Sequence, residues 1–146
     1  MKTSRLSLLV ALFLVMPGMA WSNPVHNVWA NVPIVIGDSG SWYNATSTNC
    51  AFSWNEGTGQ AFANAQATIT VNNVNYLYEF QLVSVTGTTA SSQINGLWNV
   101  KRNGVLLCGN CAGSAYGLGP VGSSFKIYVQ NSTYHLSGTV SSRYDF

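Results

Sequence analysis

Two of the three cysteines, Cys108 and Cys111, flank Gly109-Asn110 in the spacing of thiol–disulfide oxidoreductases. That chemistry needs a helix N-terminus to lower the pKa of the first thiol. The residues that follow, Ala112-Gly-Ser-Ala-Tyr-Gly-Leu-Gly-Pro120, are too rich in glycine for a helix. The motif therefore reads as a structural bridge rather than a redox site. Metal binding would need the cysteines together with His26 or His135, but their spacing fits no zinc pattern. His135 has the right type for a general base, yet no motif places a nucleophile beside it or a carboxylate behind it. No Gly-x-Ser-x-Gly elbow occurs, and no motif pairs two carboxylates for glycosidase work. The expectation is a protein without catalytic residues, metal or cofactor, in which His135 is a polar-face strand residue and Asp38 and Glu56 sit solvated in turns.

Aromatic and amide side chains are the more informative set. The chain has 5 Trp, 7 Tyr and 6 Phe. A flat ring to stack on, beside side chains that both donate and accept hydrogen bonds, is what a sugar requires. Trp54 and Trp98 fall on inward faces, whereas Trp29, Tyr43 and Tyr128 are expected outside. Trp29, Trp42, Tyr43, Asn44 and Tyr128 are the candidate ligand-binding residues. Asn44-Ala-Thr46 and Asn131-Ser-Thr133 are also glycosylation sequons, which matter only in a eukaryotic host.

These residues need a scaffold and a compartment. Lys2 and Arg5 precede the apolar run Leu6–Met16, and Pro17-Gly-Met-Ala20 supplies a small-residue cleavage site. Residues 1–20 thus read as a signal peptide, too short to span a bilayer, and residues 21–146 as one exported domain, secreted or periplasmic, with no membrane span left after cleavage. An oxidising compartment favours one disulfide among Cys50, Cys108 and Cys111, with all three pairings open. The spare thiol is either buried or available for self-association. Beyond residue 20, Lys101, Arg102, Lys126 and Arg143 balance Asp38, Glu56, Glu79 and Asp145. A chain with no net charge and no basic patch is not a nucleic-acid binder.

The patterning is that of strands, not helices. Ala67–Val71 and Val74–Phe80 flank Asn72-Asn73, a pair suited to a two-residue turn. That turn sets Val71 opposite Val74, Ile69 opposite Tyr76 and Ala67 opposite Tyr78, all on one apolar face. Leu97–Val100 and Val105–Leu107 form a second hairpin around Asn103-Gly104, with Trp98 and Val100 facing Val105 and Leu107. Phe125–Val129 and Tyr134–Leu136 form a third, with Lys126, Tyr128 and His135 on its polar face. An opening strand broken at Pro33 and the alternation of Cys50, Phe52 and Trp54 add further strands, while residues 109–124 read as a glycine-rich loop. The expected fold is all-β: an antiparallel meander of about eight strands, closed as a small barrel or folded as a sandwich.

Gly40-Ser-Trp-Tyr-Asn44 resembles the Gly-x-Trp opening of the calycin barrels, avidins and lipocalins. The resemblance implies an eight-stranded barrel holding a small ligand, with Asn44 among its polar contacts. Three functions follow as expectations. The first is a non-enzymatic domain binding a glycan or other cell-surface ligand through exposed aromatics and amides. The second is an assembly subunit using the 28–36 segment or the spare cysteine. The third is a carrier barrel with an apolar ligand near Tyr76, Tyr78, Phe80 and Trp98.

Overall fold

The structure, a computed structural model, describes residues 25–31, 34–90 and 92–146. The expected signal peptide and Pro33 lie outside the described residues. The chain forms strands β1 (Val25–Ala30), β2 (Val35–Asp38), β3 (Ser41–Asn55), β4 (Ala61–Val71), β5 (Val74–Ala90), β6 (Gln93–Arg102), β7 (Val105–Tyr116), β8 (Ser124–Val129), β9 (Tyr134–Thr139) and β10 (Ser142–Asp145). Every pairing is antiparallel. The sheet order is β10-β1-β3-β2-β9-β8-β7-β6-β5-β4, and β3 also pairs with β4. That last pairing closes an eight-stranded barrel, β2 to β9, and removes its edges. β1 and β2 lie in succession along one edge of β3, so they form one interrupted stave. β10 runs beside β1 and extends the line of β9 in the same way.

Turn chemistry fixes one end of the barrel. Ser39-Gly40, Asn72-Asn73 and Asn103-Gly104 all have positive φ and link strands by two residues, the geometry whose twist matches a hairpin. Gln130, Asn131 and Ser132 close the fourth turn at this end, also with positive φ. The register of the 67–80 hairpin matches the sequence pattern pair for pair. The longer connections 56–60 and 117–123 gather at the opposite end.

The inward residues pack the barrel solid. Phe52, Trp54, Phe80, Trp98, Phe125, Ile127 and Leu136 are all fully buried. Phe52 meets Phe125 edge to face at 5.4 Å between centroids. Gly113 makes room for Trp98: a Cβ there would lie 2.8 Å from the indole Cδ1 and 2.6 Å from the Tyr128 carbonyl oxygen.

Two expectations need correction at β7. Residues 109–116 continue a strand rather than a loop. Cys108 pairs with Val100 and Cys111 with Trp98, so Gly109 and Asn110 together oppose Asn99. The Cys108–Cys111 disulfide, with its Cα atoms 6.0 Å apart, closes this bulge. The Asn110 N–H donates to Asn99 Oδ1 at 3.0 Å, and Asn110 takes a positive φ. A separate irregularity nearer the turn, where Leu107 is the extra residue between the Lys101–Leu106 and Val100–Cys108 pairs, puts Cys108 where the simple hairpin would put Leu107, and Val105 ends exposed rather than facing the core. Cys50 is the free thiol and is 1% exposed. A bridge from it to another molecule would require opening the barrel.

Candidate functional site

One row of directly opposed, outward positions crosses five strands. Trp42 on β3 pairs with Gly37 on β2, and Gly37 pairs with His135 on β9. His135 pairs with Tyr128 on β8, and Tyr128 pairs with Ser114 on β7. Gly37 has no side chain to fill the space between its neighbours, so the indole reaches the imidazole edge-on at 4.7 Å. A Cβ at Gly37 would lie 3.1 Å from His135 Cβ and 3.5 Å from the indole. His135 stacks on Tyr128 at 4.7 Å, and Tyr116 meets Tyr128 edge-on at 6.1 Å.

His135 belongs to the polar face of its hairpin, as the alternation predicts, but it is only 4% exposed. Neither ring nitrogen has a hydrogen-bond partner among the described residues. Burial, reinforced by the charge of Lys126, holds its pKa below the ordinary imidazole value. It is therefore neutral at pH 7, with one N–H donor and one nitrogen acceptor unsatisfied. Trp42, which covers it from one side, is 61% exposed. The row continues into hydrogen-bonding groups. Ser114 Oγ donates to Asn95 Oδ1 at 2.6 Å, and Gln93 Nε2 donates to the same oxygen at 2.9 Å.

Of the five residues singled out from the sequence, three share this face: Trp42, Tyr128 and Asn44, which lies two residues beyond Trp42 on β3. Tyr43 alternates inward to the barrel's mouth and is half-buried rather than outside. Asn44 is exposed and outside that mouth, so it does not take the inner position that the calycin resemblance implies. Trp29 is remote. It pairs with Ala51, nine residues along β3 from Trp42 or roughly 30 Å, and packs edge-on against Tyr144 at 5.7 Å.

The mouth at the turn end holds a cavity of about 280 Å³ lined by Tyr43, Ile69, Val71, Tyr76, Tyr78 and Arg102. Asp38 is not solvated there. Its Oδ2 accepts from Tyr78 Oη at 2.5 Å and from Arg102 Nη1 at 3.1 Å, while Ser39 Oγ donates to Oδ1 at 2.9 Å. Burial and the bond to Asp38 push the Tyr78 hydroxyl up to about 12.

At the opposite end, Glu56 is likewise engaged rather than free in a turn. Buried His26 meets Glu56 through Nε2 and Asp145 through Nδ1, the latter at 2.8 Å. Arg143 Nε donates to the same Asp145 oxygen at 2.9 Å, and its Nη1 donates to the Leu118 carbonyl. Burial opposes ionisation of Asp145, but the hydrogen bonds from His26 and Arg143 outweigh it and hold the carboxyl below its usual range. His26 also lies against Trp54 at 5.0 Å between centroids. The cluster ties β1, β10 and the loop after β3 together and has no nucleophile in it. Replacing the ring, as in His26→Leu, leaves two carboxylates facing an apolar group. The expected loss is about 1–3 kcal/mol in urea unfolding, kept modest because both carboxylates are partly solvated. An unchanged midpoint would show that the cluster contributes nothing to stability.

The sequence did not reveal the positioning roles of Gly37, Asp38, Arg102 and His26. Each depends on a strand remote in the chain, and only the turn context of Asp38 gave a hint. Compared with known proteins, the chain matches no family model, no curated protein and no solved structure. The fold itself defines the class: a closed eight-stranded antiparallel β-barrel with a packed interior and two added strands.

Proposed function

We propose that this chain is an exported, non-enzymatic binding barrel that takes a glycan across the outer row of Trp42, His135, Tyr128 and Tyr116, with Asn44 and Asn95 beside it. The observation that carries the reading is the aromatic row with an unsatisfied imidazole inside it. Exposed rings offer flat apolar faces for the apolar side of a sugar, with polar groups at their rims. A neutral imidazole with an unused donor and an unused acceptor matches a hydroxyl, which can accept from one and donate to the other. Leaving such a group buried without a partner costs about 1–3 kcal/mol, and a hydroxyl reaching it beside a displaced Trp42 would recover part of that. The zero net charge of residues 21–146 favours a neutral glycan, since nothing steers a strongly charged one.

The other two expectations find less support. β1 and β2 are each paired along both edges, which leaves neither free to be donated to a neighbour. Phe80 and Trp98 are sealed in a filled core, so an apolar ligand has no deep chamber to occupy.

A glycan array followed by calorimetry tests the reading. Binding to a neutral oligosaccharide is expected, weakened about tenfold or more by Trp42→Ala and by Tyr128→Ala. Trp29→Ala should bind as the parent does. Absence of binding on the array, or equal affinity in all three variants, would overturn the proposal.

A further inference from the structure

The mouth cavity lies on the inner side of the barrel wall and shares no residue with the outer row. Its chemistry is different and can be worked out donor by donor. Ile69 and Val71 give it an apolar wall, and Tyr43, Tyr76 and Tyr78 give it ring faces. Asp38 contributes little to a ligand, because its oxygens already accept from Tyr78, Arg102 and Ser39 and its side chain is only 12% exposed. Arg102 is the opposite case. Its side chain is 43% exposed while it donates Nη1 to Asp38 and lies against the Tyr78 hydroxyl, so an outer part of its fork still faces solvent. The Tyr43 and Tyr76 hydroxyls have no protein partner among the described residues. The cavity therefore presents a surplus of donors and one accessible positive charge above an apolar wall. Its volume of about 280 Å³ equals that of roughly nine liquid waters, at the small end of ligand pockets.

We infer that the mouth is a second, separate binding site, for a small molecule with an apolar ring or chain and a carboxylate that pairs with the solvent-facing edge of Arg102. The guanidinium fork suits a carboxylate through two parallel N–H bonds. The tyrosine hydroxyls add donors to the same oxygens, and Asp38 holds the guanidinium in place from behind. A cation is disfavoured because the one carboxylate is already shielded by three donors.

The experiment uses benzoate, phenylacetate, benzamide and benzylamine as probes of the intact folded barrel, with affinity read by calorimetry and location by NMR shifts at Tyr43, Ile69 and Tyr76. Benzoate or phenylacetate is expected to bind at least about tenfold more tightly than the amide or the amine, with shifts confined to the mouth. Arg102→Met should remove that preference, and Arg102→Lys should keep part of it. Val71→Trp, which fills the cavity, should abolish binding of every probe. Because Arg102 also anchors Asp38, circular dichroism is recorded for each variant, and Tyr76→Phe, which deletes one hydroxyl only, serves if Arg102→Met does not fold. Tyr76→Phe should weaken benzoate binding about fivefold. No binding by either carboxylate at saturating concentration, equal binding of benzamide or benzylamine, or shifts outside the mouth would overturn the inference. Trp42 separates the two sites: Trp42→Ala should leave carboxylate binding unchanged whether or not the glycan reading holds.

Discussion

Trp98→Ala is expected to destabilise the barrel by about 3–5 kcal/mol, a large part of the ~5–15 kcal/mol available to a domain of this size. The indole is fully buried, and the surrounding wall is shaped to it. Gly113, two residues along β7 from the Cys111 that pairs with Trp98, leaves the ring space that a Cβ would invade at 2.8 Å, and β7 is held in its bulge by the disulfide. The wall therefore has little freedom to collapse into the space left behind, which places the loss at the upper part of the range for aromatic truncation. Urea unfolding followed by circular dichroism measures it, and an unchanged slope with a shifted midpoint would identify a stability change alone. A loss below about 1 kcal/mol would mean that the interior is hollow at this level, contrary to the packing described.

High pH is expected to unfold the protein through Cys50 and Tyr78. Burial pushes the Cys50 thiol from 9.0 up to about 12, despite a backbone hydrogen bond from Gln66 that favours the thiolate. Tyr78 rises from 10.0 to about 12, through burial first and then the bond to Asp38. In both cases the folded state keeps its proton over a range where the unfolded chain has lost it. The folded state therefore binds more protons, and stability falls as pH rises. The Cys50 contribution is complete below pH 9.0 and is lost up to about 12, on the order of 4 kcal/mol. The Tyr78 contribution is lost between 10.0 and about 12 and is smaller than that of Cys50, because solvent at the open mouth screens its hydroxyl. Urea midpoints measured across this window should fall steeply for the parent, less for Cys50→Ala, and less for Tyr78→Phe only in the upper part. Parallel pH profiles for all three proteins would contradict the assignment.

Both expectations rest on features with different histories in the chain. The inward position of Trp98 and the facing of Tyr78 with Ala67 are readable from alternation and from Asn72-Asn73, because a two-residue turn fixes register over short range. The solid core around Trp98 was not, since a half-apolar strand looks the same whether it lines a cavity or fills one. The site divides in the same way. Trp42, Asn44 and Tyr128 could be picked out by residue type, but Trp29 met the same criterion and lies roughly 30 Å away along the sheet. Asp38 and Glu56 looked like solvated turn residues because their partners, Tyr78 and Arg102 for one and His26 for the other, lie far off in sequence.

The amino-acid sequence by itself determined the three hairpins around 67–80, 97–107 and 125–136, most of the sides their strands turn inward and three of the four tight turns, because these follow from period-two alternation and from residues that accept positive φ. Tertiary structure decided the rest: closure through β3 with β4 and β2 with β9, the choice of Cys108–Cys111 over two other pairings, and the meeting of Trp42, Gly37 and His135. Each of these depends on register between staves whose order around the ring no local pattern encodes. That register is settled only when all the inward side chains are packed into one interior at once.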